Sequence, residues 1–86
     1  MARIKKQGKS DTEFDLFKEN IGKTLKRLRE ERGYSNYENF AFENSIARSQ
    51  YGKYEKGSED LRLSSLYKVL NAMDISFEDF FKEVGK

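Results

Sequence analysis

Arg48, Ser49, Gln50, Gly52 and Lys53 form a short run whose side chains have the chemistry to read nucleotide bases. A guanidinium can hold guanine O6 and N7 with two hydrogen bonds, and a primary amide can do the same for adenine N6 and N7. Hydroxyl and ammonium groups beside them suit base edges or nearby phosphates. Other chemistries find less support. The chain has neither Cys nor His, which excludes disulfides, the common zinc arrangements and thiolate or imidazole catalysis. Acid–base work would fall to carboxylates, Lys or Tyr. The Asp and Glu residues here fall on solvent faces of predicted helices, with no cluster converging on an apolar pocket. Gly33, Gly52 and Gly57 are isolated rather than gathered into a phosphate-cradling loop. No enzyme activity, metal or cofactor is expected.

To act together, these side chains must stand on one short helix, and residues 41–57, AFENSIARSQYGKYEKG, have the layout for one. Small Ala41 suits a point where two helices touch, Ser45 follows four residues later as a turn, and Ile46 and Tyr51 face inward. Two helices meeting at a sharp angle are the result, a helix-turn-helix with helix two over about 36–44 and a reading helix over about 48–56. Arg48, Ser49, Gln50, Gly52 and Lys53 are left facing outward.

The flanking elements are also helical. There is no Pro and only six Gly among 86 residues, which suits short turns between helices. Residues 1–9, MARIKKQGK, carry four basic side chains and no acids, the composition of a flexible tail. Residues 10–86 form a single domain. Ser10 and Glu13 make a capping box. Phe14, Phe17, Ile21, Leu25 and Leu28 then follow at spacings of three and four, one face of a long helix that stops at Gly33. Ser35 and Glu38 offer a second capping box, with Asn36 as the alternative start. Leu63, Leu66, Val69, Leu70 and Met73 mark a fourth helix, and Ser76 caps a fifth carrying Phe77, Phe80, Phe81 and Val84.

From about residue 20 to residue 84, the chain resembles the phage-repressor/Cro-type, Xre-like family of regulators, and Tyr54-Glu55-Lys56-Gly57 is the most specific match. The resemblance implies an all-α, compact five-helix lambda-repressor-like DNA-binding domain, with the start of helix one as an N-terminal extension. It places Arg48, Ser49, Gln50, Gly52 and Lys53 where base and phosphate contacts are made. It also implies that Arg29, late in helix one, pairs with Glu55. The family often has a phosphate-holding Gln at the start of helix two, where this chain has Asn36 and Tyr37, which can still donate to phosphate oxygen. Basic residues common after the closing Gly are replaced by Ser58-Glu59-Asp60, leaving Lys53, Lys56, Arg62 and the tail to neutralise phosphate. Ser45 replaces a usual turn Gly, and Asn44 beside it tolerates left-handed geometry, so a turn shifted by one residue is expected.

Net charge is only +2, but residues 1–56 hold 13 Lys/Arg against 9 Asp/Glu, and residues 57–86 hold 4 against 6. Positive charge thus lies with the reading helix. The expected function is a bacterial or phage transcriptional regulator that binds double-stranded operator DNA. The alternative is a protein-interaction module, or an antitoxin-like protein with a protein partner, on the same fold with weak DNA affinity. Phe77, Phe80 and Phe81 are many aromatics for one short helix, and they suggest a homodimer surface. Local burial of all three, or packing by Phe14 and Phe17, is the other reading. No apolar run reaches membrane-span length and residues 1–9 lack a signal-peptide pattern, so a cytoplasmic location without membrane contact is expected.

Overall fold

The computed structural model describes the backbone of residues 7–86 and the side chains from residue 12 onward. Five helices follow one another: α1 (Gln7–Glu31), α2 (Tyr37–Glu43), α3 (Arg48–Lys56), α4 (Leu63–Met73) and α5 (Phe77–Val84). The expected all-α architecture is present. The helix starts earlier than its expected cap at Ser10, so 7–9 of the expected tail are helical. Residues 1–6 of that tail lie outside the described residues.

Each stop and start has a local cause. Gly33 and Gly57 take the left-handed conformation just beyond α1 and α3, at φ 92° and 74°, where a side chain would be strained. The cap of α2 is Asn36 rather than Ser35: its side-chain oxygen accepts from the Asn39 amide at 3.0 Å. Ser76 caps α5 as expected, accepting from the Asp79 amide at 3.1 Å.

The turn between α2 and α3 does not shift. Ser45 itself enters the left-handed region at φ 59°, while Asn44 stays at φ −108°. Asn44 instead donates from Nδ2 to the Phe40 carbonyl at 2.8 Å, tying down the end of α2. Lys68 Nζ on α4 reaches across and donates to the Ser45 carbonyl at 2.7 Å.

The core comes from all five helices: Ile21, Leu25 and Leu28, Phe40 and Ala41, Tyr51 and Tyr54, Leu66, Val69, Leu70 and Met73, and Phe80. Phe14 and Phe17, expected on the same buried face of α1, are more than two-fifths exposed. The stripe enters the core only from Ile21. Upstream, Phe14 and Phe17 border a cleft whose other side includes Leu63 and Phe81. Two ties fix the far end of α1. Arg27 donates to Glu83 of α5 at 2.9 Å, and Arg32 donates to the Met73 carbonyl at the end of α4.

Helices α1 and α3 cross in close contact at Gly22. A Cβ at Gly22 would lie 2.8 Å from the Tyr54 carbonyl oxygen and nearer still to that of Glu55. Both obstacles are backbone and cannot swing aside. Gly22→Ala is therefore expected to destabilise the fold by about 3 kcal/mol through overpacking, read from urea unfolding midpoints at unchanged slope.

Candidate nucleic-acid interface

The back of α3 is fixed before its front can be used. At about 100° per residue, Tyr51, Tyr54, Glu55 and Gly52 fall on one side, and this side is buried or nearly so. Tyr51 is fully buried and lies against Phe40, their ring centroids 5.1 Å apart. Ser49, Lys53 and Lys56 stand on the opposite side, all exposed.

Arg29 and Glu55 lock this orientation. Arg29 Nε donates to Glu55 Oε2 at 2.7 Å and Nη2 to Oε1 at 2.9 Å, a two-pronged pair with side chains only 3% and 8% exposed. Arg29 Nη1 donates to the Tyr34 carbonyl at 2.6 Å, so the loop after α1 joins the same hub. The hydrogen bonds that the guanidinium donates to Glu55 hold its pKa above its usual value, keeping the charge in place despite burial. The Tyr51 hydroxyl is enclosed beside the pair without a well-formed hydrogen bond. Its pKa is pushed up, first by burial and then by the Glu55 carboxylate, so it stays protonated.

The front of α3 departs from expectation at two positions. Gly52 does not face outward. It is buried, and a Cβ there would lie 2.9–3.1 Å from the outer ring atoms and hydroxyl of Tyr37. Residues 48 and 52 share a helical face that abuts α2, and sequence spacing alone did not show that α2 covers its second turn. Gln50 is half-buried on the other flank and lines a shallow groove with Ser65 and Lys68 of α4. Arg48, Ser49, Lys53 and Lys56 are exposed as expected, with Arg48 at the free N-terminal end.

Asn36 and Tyr37 sit together at the start of α2. The Asn36 carbonyl oxygen is engaged in the cap, which leaves its amide N–H groups to donate outward. Tyr37 is half-buried, packed against the core with its ring centroid 6.4 Å from that of Tyr51. Arg62 is exposed at the N-cap of α4, past the acidic Glu59-Asp60 segment. No described contact joins it to α3. Sequence reasoning missed Gly22 and Lys68. A lone Gly within a helical pattern signals the first; nothing local signals the second.

The sequence pattern of the helix-turn-helix family matches residues 25–80. Control protein C.MunI from Mycoplasma sp is 29% identical over 66 residues, covering 77% of this chain and 89% of the relative. A tyrosine-to-phenylalanine mutant of the restriction-modification controller protein C.Esp1396I has a similar structure, with a TM-score of 0.70 at 22% identity. The match covers 79% of this chain and 85% of that one, and it shows a shared fold.

Truncating one member of a buried ion pair strands the other. Glu55→Ala should cost about 3–5 kcal/mol, and the double change Arg29→Met with Glu55→Leu should recover most of that loss. A double-mutant cycle in denaturant measures both, and simple additivity would show that the pair contributes no coupling.

Proposed function

The chain belongs to the helix-turn-helix family of Xre-like regulators, and from that premise we propose which side chains contact operator DNA and how two copies assemble on it. As a member it is a DNA-binding transcriptional regulator. The observation that carries the detailed reading is the contrast across α3, with a back buried on a charged hub and a front of exposed Ser49, Lys53 and Lys56, beside Arg48 exposed at the N-terminal end.

In this reading α3 enters the major groove with its N-terminal end leading. Arg48 and Ser49 reach base edges, Gln50 reaches them from the α4 flank, and Lys53 serves base or phosphate. Asn36, Tyr37, Lys56 and Arg62 hold the backbone. Gly52 contributes no side chain and contacts nothing directly. The similarity to C.MunI and to the restriction-modification controller C.Esp1396I supports a role as a small control protein acting on cytoplasmic DNA.

A single head with so few cations binds weakly, whereas two heads on half-sites about 34 Å apart gain avidity. Phe80, expected at the dimer surface, is fully buried and belongs to the local core. Tyr67, Phe77 and Phe81 remain as a stacked ladder, with centroids 6.2 Å and 6.5 Å apart. Tyr67 and Phe81 are exposed, as is Leu63 on the same side. We assign the dimer contact to this ladder.

Binding of purified protein to a duplex selected from a random pool tests the reader. Arg48→Ala should lower specific affinity by about 1–3 kcal/mol while leaving non-specific binding nearly intact. Lys53→Ala should lower the salt slope by about one if it meets phosphate. Unchanged affinity and preference in both variants would reject α3 as the reader. For assembly, Phe81→Glu should give a folded monomer with poor operator affinity by light scattering and titration. Phe80→Glu should unfold, because it puts a charge in the core.

A further inference from the structure

The contact between Gly52 and Tyr37 bears on DNA binding in a way that neither residue shows alone. Tyr37 opens α2, yet the end of its ring lies across the backbone of α3 at Gly52. Only the missing Cβ allows this, since one would meet Cε1 at 2.9 Å and Cζ and Oη at 3.1 Å. The hydroxyl is thereby carried to the flank of α3 that also bears Arg48, one turn away on the same helical face. It makes no hydrogen bond to another described residue, and the half-buried ring leaves it open to an outside acceptor.

We propose that Gly52 is a positioning residue: by lacking a side chain it holds the Tyr37 ring down on α3, so that the Tyr37 hydroxyl donates a hydrogen bond to a DNA phosphate beside Arg48. The inference rests on the reading of α3 as the groove-entering helix. It gives Gly52 a role without any contact of its own. A phenol at this position carries no charge, so it adds a bond without adding to counterion release. The atoms that a Cβ would strike are the far end of a side chain that can swing aside. Adding a methyl group should therefore displace the hydroxyl with little loss of stability.

The test measures thermal unfolding and affinity for a selected duplex at fixed salt, for Gly52→Ala, Tyr37→Phe, Tyr37→Ala and the double variant Gly52→Ala/Tyr37→Ala. Tyr37→Phe should unfold like the parent and bind about tenfold to hundredfold more weakly, the range of one hydrogen bond to a charged acceptor, with an unchanged salt slope. Gly52→Ala should melt within about 5 °C of the parent and lose affinity to a similar degree. In the Tyr37→Ala background, Gly52→Ala should cause no further loss. Parent-like binding by Tyr37→Phe would overturn the role of the hydroxyl. An equal loss from Gly52→Ala with or without the Tyr37 ring would overturn its action through Tyr37. Failure of Gly52→Ala to fold would overturn the yielding ring, and Tyr37→Phe, which removes no packing, would still decide the hydroxyl. A parent that binds no duplex would reject the DNA reading itself, a result distinct from each of these.

Discussion

The crossing of α1 and α3 is the constraint on which the rest of the structure depends. A nine-residue helix such as α3 is too short to hold itself together in water. Its stability and its angle must come from what it leans on. Gly22 brings the two backbones close, and the buried Arg29–Glu55 pair fixes rotation about the helix axis through two parallel hydrogen bonds. A buried ion pair is a poor source of net stability, because desolvation offsets much of the attraction. Its value here is geometric, since only one rotation of α3 lets both bonds form. That rotation sends Ser49, Lys53 and Lys56 to solvent.

The same hub reaches beyond the two helices. Arg29 also holds the Tyr34 carbonyl, which shapes the loop that launches α2. Tyr37 then lies on Gly52, and Lys68 steadies the far turn at Ser45. Helix α3 is thus gripped near its C-terminal end, along its α2 flank and at the turn before it, while its exposed side keeps its freedom. Such support positions side chains on a regular element rather than on a loop.

Much of this was legible in the sequence, because helical periodicity and caps are local signals. The spacing from Ile21 to Leu28, the stop at Gly33, the Ser76 cap and the bounds of α3 all follow from residues a few positions apart. The Arg29–Glu55 pair came from family resemblance, since 26 positions separate its members. Illegible features depended on which surface another helix covers. Gly52 lies at the edge of the buried side of α3, and its burial is not evident until α2 is laid over that edge, while Phe80 looks like its neighbours Phe77 and Phe81 until α5 is docked. Phe14 and Phe17 continue the apolar stripe of α1 along the rim of an open cleft instead of into the core. The sequence predicts a turn displaced from Ser45, whereas Ser45 itself takes the left-handed conformation, flanked by the Lys68 bond to its carbonyl and the Asn44 bond to Phe40.

Native-state amide hydrogen exchange tests the central claim, that α3 is held as one rigid unit by its crossing with α1. The amides of Tyr54 and Glu55 should exchange only by global unfolding, at the same free energy as those of Leu25 and Leu28. Release of the α3 amides through a separate, lower-energy opening, with α1 still protected, would contradict the account.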